Sequence, residues 1–436
     1  MTRAPEVATR FLIGLTFVSA ICFAPLAGCS ETSGTGGSGG LGGNGGDGGS
    51  AGMGGGGVGG DGGTGGTDLC EGVTCEDTEC KADGVCDPAD GICDFVFAAD
   101  GTACSEGECL EGVCAPVGAF PCTEEGIRDA IAEGGGPHFF ACDGSTPIVT
   151  VEIIIDNDVV LDGQGNLTVD GSERNRVFSV PAGVTAELRG ITVTRGAVGE
   201  SNGGGIRNEG TLTLVDTTVS QSSATCSSNC YGLGIGGGIW NSFEDATMTL
   251  INCTVSGNTA RFDGGGIWNG GTMTLTNTTV SGNAGLAGVG GLLNDGFGTM
   301  TLVSSTISGD DFPYQISNLG RMSIANSLVD GLCSLPGISF LSLGYNIESP
   351  GDTCRFDQAG DQANVSTDDL KLADLADNGG PTDTHALGEG SAAIDQIPAE
   401  DCVDAEGEPL TMDQRGVERP QGDACDVGAV EVEVTP

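Results

Sequence analysis

The sequence predicts an all-β fold, a right-handed parallel β-helix preceded by a small disulfide-rich module. Three observations carry that prediction. A block of the form GGGIxN…TxTLxxxTVSGN recurs as GGGIRN with TLTLVDTTVS (203–220), GGGIWN with TMTLINCTVSGN (236–258) and GGGIWN with TMTLTNTTVSGN (264–283). A fourth copy is GGLLN with TMTLVSSTISGD (290–310), and a decayed fifth is ISNLG with RMSIANSLVDG (316–331). The marker asparagines Asn208, Asn241, Asn269, Asn294 and Asn318 are 33, 28, 25 and 24 residues apart, a period of stacked single supersecondary units. Inside each block polar and apolar residues alternate, and no helix-period stretch long enough for a crossover separates the copies. Ahead of the repeats, eight cysteines crowd one short segment.

Each coil is expected to hold three short strands. In Thr-Met-Thr-Leu, Met248 and Leu250, Met273 and Leu275, and Met300 and Leu302 face one way and the threonines the other, so this strand is half buried. Asp216, Asn252, Asn277, Ser304 and Asn326 follow at one aligned position, where a residue tolerant of left-handed backbone makes the bend. A second strand turns Val219, Val255, Val280, Ile307 and Val329 inward. The glycine stretch permits another bend, and Ile206, Ile239, Ile267 and Leu292 begin the third strand. Stacked aliphatics filling a narrow prism explain why aromatics are only 5% of the chain. Irregular earlier coils are expected from about Pro147, punctuated by Asp156-Asn157, Asp162-Gly163 and Asp170-Gly171. In CTEEGIRDAIAEGGG, Thr123 is a fitting N-cap, Glu124 and Glu125 occupy the first turn, and Ile127, Ala130 and Ile131 share a face. That helix would cover the open first coil, whose unpaired edges invite aggregation.

Arg3 and Arg10 precede FLIGLTFVSAICFAPLAG, an export signal too short and too soon interrupted to span a membrane. Residues 29–68 are almost wholly Gly, Ser, Thr, Asn and Asp, a flexible tether with an r.m.s. span of roughly 30 to 35 Å. In the module, residues 69–116, Cys70, Cys75, Cys80, Cys86, Cys93, Cys104, Cys109 and Cys114 imply disulfides in place of a core. Zinc is disfavoured because neither CxxC pairs nor histidines occur there. Proximity suggests the further pairs Cys122 and Cys142, Cys226 and Cys230, Cys333 and Cys354, and Cys402 and Cys425. Cys253 is left over; it aligns with Thr217, Thr278 and Ser305 and reads as a small ladder residue, not a nucleophile.

Several segments resemble known families. Leu26-Ala27-Gly28-Cys29 resembles the bacterial lipoprotein cleavage box, which implies removal of residues 1–28, acylation of Cys29 and, with Ser30 next, export to the outer membrane. LADLADNGGPTDTHALGEGSAAID (372–395) and DQRGVERPQGDACDVGAVEV (413–432) resemble the end of bacterial choice-of-anchor Q proteins, where such motifs follow a pectin-lyase-like β-helix. CTEEGIRDAI stands where that family has CSLREAI, retaining Cys122, Arg128 and Ile131. The glycine-rich repeats are also similar to those of chlamydial polymorphic outer-membrane proteins, and the cysteine pattern loosely resembles disintegrin-like or EGF-like modules. The resemblances imply a surface-exposed β-helix over residues 117–371, with residues 372–436 capping or anchoring it. They imply no activity.

An enzyme of this fold would group carboxylates on one outer face, to bind Ca²⁺ beside an Arg or Lys base or to act as an acid and base pair. The candidates are Asp310, Asp311 and Arg321, with Asp263, Arg195, Arg207 and Arg261 behind them. Against that, Asp310 aligns with Asn258 and Asn283 in the SGN turn, so a turn role competes. His138 and His385 both fall outside the coils. With 61 acidic against 15 basic residues the formal net charge is -46, which excludes nucleic acid as a partner. No resident metal or cofactor is expected; Ca²⁺ is the one ion such acidity would accept, although no DxDxDG loop is present. Trp240 and Trp268, the only tryptophans, should point outward on adjacent coils beside Arg207, where they could grip a sugar ring with Arg207 as a cation-π neighbour. A ladder stabilising the stack, or one covered by the insert carrying Cys226 and Cys230, is the alternative. The sequence thus points first to a lipid-anchored, monomeric surface scaffold or adhesin-like protein that meets polysaccharide or envelope components without catalysis. Second comes a polysaccharide lyase or glycoside hydrolase acting in a groove of the same β-helix.

Overall fold

The computed structural model describes residues 69–433 except 71–72, 90–91, 145, 228–231, 244 and 311–313. The expected signal peptide, Cys29 and the tether lie outside the described residues, as do Cys230 and Asp311.

The repeats form a parallel β-solenoid. Ile206–Asn208, Ile239–Asn241, Ile267–Asn269 and Leu292–Asn294 pair in sequence order within an eight-stranded parallel sheet that runs from Ile153–Ile154 to Leu332–Ser334. The Thr-Met-Thr-Leu strands and the Thr-Val-Ser strands build two further parallel ladders. These merge into one sixteen-stranded sheet because Thr185–Thr194 pairs along its length with Val159–Asp170 and with strands of both ladders. Register is residue-for-residue: Met248 opposes Met273, Leu250 opposes Leu275 and Val255 opposes Val280. Every one of these side chains is buried, as are Ile239, Ile267 and Leu292. Burying an aliphatic side chain of this size contributes about 1.5 to 3 kcal/mol, so the stack is held by many equivalent small gains.

The bends follow from backbone chemistry. Asp216, Asn252, Asn277, Ser304 and Asn326 all adopt positive φ, between 45° and 55°. Gly264 has φ 63°, and a Cβ on Gly265 would lie 2.4 Å from the carbonyl oxygen of Ala284, so the glycine run is required both for its turn and for close approach of neighbouring chain. Three strands per coil is not the whole pattern. A fourth short ladder, Ala197–Gly199, Ser223–Thr225, Thr259–Ala260 and Ala284–Gly285, follows the Ser-Gly-Asn corner. Ala224 and Ala260 face inward there, small enough to fit the corner.

The helix Glu124–Glu133 is capped by Thr123, whose hydroxyl accepts from the Gly126 amide at 3.0 Å. Its Ile127, Ala130 and Ile131 join the solenoid core, so the first coil is covered as its amphipathic pattern implies. The cysteine-rich module comprises a hairpin, Lys81–Cys86 with Cys93–Phe97, and a small antiparallel sheet of Ala103–Cys104, Gly107–Leu110 and Val113–Ala115. Four disulfides hold it: Cys70–Cys86, Cys75–Cys93, Cys80–Cys109 and Cys104–Cys114. An ion pair between Lys81 and Asp143 ties the hairpin to the start of the solenoid. Cys122–Cys142, Cys333–Cys354 and Cys402–Cys425 are also bonded. Cys226 is disulfide-bonded as well, while Cys230, the partner expected for it, falls outside the described residues.

The C-terminal segment runs along the flank of the solenoid and is not confined to its end. Thr254 donates to the Asp383 carbonyl at 2.6 Å, Asn277 to the Met412 carbonyl at 2.8 Å, and Asn326 to the Asp401 carbonyl at 2.9 Å. The outward threonines of the Thr-Val-Ser ladder are therefore roofed. A second core forms beneath this segment from Leu328, Ile347, Leu370, Ala393, Ile397 and Val427.

Candidate binding face

The corners of the coils hold buried, hydrogen-bonded ladders, and these decide where the suspected catalytic residues belong. Asn208, Asn241, Asn269, Asn294 and Asn318 are fully buried, and each Nδ2 donates to the next Oδ1 at 2.8 Å. A second ladder runs through the Ser-Gly-Asn corners: Asn258 Nδ2 donates to Asn283 Oδ1 at 3.0 Å, and Asn283 Nδ2 to Asp310 Oδ1 at 3.0 Å. Asp310 thus occupies the last rung of an asparagine ladder and is 7% exposed. Arg321 lies on another ladder, exposed at the outward start of Arg321–Ala325 beside Thr299. Asp263 accepts the Val289 amide at 3.0 Å and so supports a turn. The structure does not bring Asp310 and Arg321 together.

Cys253 sits in a third ladder, of hydroxyls. Its Sγ donates to the Ile251 carbonyl at 3.2 Å where Thr278 donates to the Thr276 carbonyl and Ser305 to the Val303 carbonyl. Burial pushes the thiol pKa up to about 12, so thiolate is scarce and the residue is not poised as a nucleophile.

The motif letters of the C-terminal segment are absorbed by structure. Asp413 accepts the backbone amides of Arg415 at 2.8 Å, Val417 at 2.9 Å and Glu431 at 2.9 Å, while its carboxylate pairs with the Arg415 guanidinium. Arg419, buried, donates to the carbonyls of Asp426 at 2.8 Å and Gly428 at 2.7 Å. Burial pushes the Asp426 and Glu431 carboxyls up and the Arg419 guanidinium down, against opposing contributions from this network. Charged groups this enclosed persist only where their hydrogen bonds are met, and here they fix the path of the tail.

Trp240 and Trp268 do project from adjacent coils and stack at 5.7 Å, with the Arg207 guanidinium 5.2 Å from the Trp240 ring. They are nonetheless 7% and 4% exposed. Val289 and Leu293 join them in one apolar cluster with Ile235 packed against it, and Phe243 meets the Trp268 ring edge-on at 5.0 Å. Open ring faces for a sugar are therefore absent on the tryptophans themselves. Arg207 is also held by Glu209 at 2.5 Å.

The accessible aromatic surface is one layer further out. Phe243 and Phe297 come from corresponding corner loops after Asn241 and Asn294, are 44% and 80% exposed, and meet at 6.2 Å. With Gly271 and Thr272 they line a cleft of about 570 Å³. A Cβ on Gly270 would collide with the Trp268 ring at 2.7 Å, so glycine there lets the loop close over the tryptophans. Sequence reasoning passed over both phenylalanines because they lie outside the repeated block. The available signal was an aromatic at one corner of two coils, adjoining a tryptophan ladder.

A second cleft, of about 600 Å³, is lined by Asp162, Glu187, Arg189, Asp216 and Pro381. Asp216 is the bend residue of its coil and accepts from Asn252 at 3.1 Å; burial, with Asp162 nearby, pushes its carboxyl above the ordinary range. Arg189 is ion-paired with Glu187.

No family model matches the chain, and no curated protein matches it. Among solved structures, pectate lyase Pel9A aligns over 70% of this chain and 90% of its own, at 12% sequence identity and a TM-score of 0.35. A likeness of that size identifies neither a site nor a substrate.

Proposed function

We propose that this protein is a lipid-anchored surface scaffold of the cell envelope that binds polysaccharide or another envelope component without chemical turnover. The observation that carries the reading is the exposed Phe243–Phe297 face, seated on a buried tryptophan stack in a rigid ladder. Aromatic rings held by packing lose little freedom on contact with a ligand, which is what a binding surface needs. In this reading Cys29 carries the lipid, residues 29–68 hold the folded part off the membrane, and the ladders supply stiffness. Retention of the protein on a panel of polysaccharides and isolated envelopes, weakened by Phe297→Ala, is the expected result; equal retention of the variant would sink it. Membrane association should also be lost with Cys29→Ala, read by lipid labelling.

A second reading, a polysaccharide lyase or hydrolase, is favoured by one observation, the carboxylates of Asp162, Glu187 and Asp216 around the second cleft. Turnover of any polysaccharide by the purified protein, with or without added Ca²⁺, that Asp216→Asn abolishes would place catalysis there and replace the scaffold reading.

A further inference from the structure

The chemical character of the aromatic cleft narrows the ligand, given the reading that this face binds polysaccharide. Its lining is Phe243, Gly271, Thr272 and Phe297, with no cation among them. Arg321 is exposed at the border of this face, opposite Thr299, the rung next to Thr272, but is not part of the lining. The Arg207 guanidinium is engaged by Glu209 and lies over Trp240, which is itself buried. The two corner loops that bring the phenylalanines also carry Asp245 and Asp295. A polyanion entering here would meet two local carboxylates and a chain of formal charge -46, with no Arg or Lys among the described lining residues and Arg321 alone at its border.

We propose that the Phe243–Phe297 cleft binds a neutral polysaccharide, presenting the apolar C–H face of its sugar rings to the phenylalanines, and that it rejects polyuronates and other anionic glycans. The sugar's ring hydrogens lie against the aromatic faces, where the negative face of the π system attracts them. Its edge hydroxyls reach Thr272 and solvent, so no buried polar group is left unpaired. Because no ion pair forms, the affinity is insensitive to salt, unlike the binding of a charged glycan.

The test is calorimetric titration of the full chain with cellohexaose, xylohexaose and mannohexaose, and with hexagalacturonate of the same length, at low and high salt. Binding of at least one neutral hexasaccharide is expected, unchanged by salt, with Phe297→Ala about 3- to 10-fold weaker. Phe243→Leu, which keeps cover over Trp268, should weaken it similarly and guards against a folding defect. Preferential binding of hexagalacturonate, lost on Phe297→Ala, would overturn the neutral-ligand inference while leaving the scaffold reading intact. Binding to none of the four overturns the inference, whereas the scaffold reading falls only if retention on the wider panel of polysaccharides and isolated envelopes fails too. Neutral binding indifferent to both substitutions places the site elsewhere and overturns the inference.

Discussion

The Oγ of Ser281 lies 2.9 Å from Nε2 of His385, linking the Thr-Val-Ser ladder to the hairpin of the C-terminal segment. The other ring nitrogen, Nδ1, is 2.7 Å from the Ala373 carbonyl oxygen. A carbonyl can only accept, so Nδ1 carries the proton, Nε2 is the acceptor, and Ser281 donates. Burial lowers the His385 pKa below the ordinary histidine value, which keeps the ring neutral in the native state.

Acid should therefore loosen the tail. A base whose folded-state pKa is depressed contributes its full stability above the unfolded value, about 6.5, and loses it as pH falls through the folded value. Asp426 and Glu431, whose pKa values are raised, act in the opposite sense: their contribution is full below their unfolded values and is lost as pH rises. The prediction is that thermal stability of the C-terminal segment falls as pH drops below about 6.5, and that His385→Gln flattens that fall at some cost at neutral pH. Melting curves from pH 5 to 8 check it. A slope unchanged in the variant would mean that other groups set it.

The asparagine ladders predict an asymmetry between otherwise similar substitutions. Asp310 fits the ladder because toward Asn283 it acts as an acceptor, for the Asn283 amide at 2.7 Å and for Asn283 Nδ2 at 3.0 Å. Asn283 must also donate, to the Val255 carbonyl at 3.0 Å and to Asp310. Asn283→Asp would remove both donations and set a carboxylate against Asp310. It should destabilise the protein by about 3 kcal/mol or more, and by more than Asp310→Asn, which keeps an acceptor toward Asn283. Urea titrations of the two variants give the comparison directly.

This contrast also explains what could be read from sequence. The inward residues were legible because a one-residue shift would expose the whole set, so Met248, Leu250 and Val255 announce their side by alternation. The bend positions were legible because few residues accept positive φ, as at Asn252 and Asn277. Asn241 and Asn269 were visible as markers, yet their bonds to each other depend on stacking distance, which sequence does not print. The tryptophans were found, but their burial depends on Phe243 from a corner loop outside the repeat. The roof over the Thr-Val-Ser ladder was invisible for a like reason. It joins residues 75 to 135 positions apart, and threonines that look solvent-facing turn out to be bonded.

Gln414 concentrates that long-range joint in one side chain. Its Oε1 accepts from the Thr279 hydroxyl at 2.7 Å, and its Nε2 reaches the Cys253 carbonyl at 3.1 Å and the hydroxyls of Thr254 and Thr382, each at 2.9 Å. The residue is fully buried, so Gln414→Ala would leave several polar atoms of both surfaces without partners. A loss of about 2 to 4 kcal/mol is expected, felt at the seam where the side-chain bonds of Gln414 lie. Hydrogen exchange should accordingly speed up in residues 372–433 and stay slow in the Thr-Met-Thr-Leu strands. Gln414→Glu is the sharper version. It keeps the acceptor facing Thr279 but turns the Nε2 donor into a carboxylate oxygen facing the Cys253 and Asp383 carbonyls, so it should loosen the seam at neutral pH and recover in part as acid restores a proton. Uniform acceleration across coils and tail would show instead that the two parts unfold as a single unit.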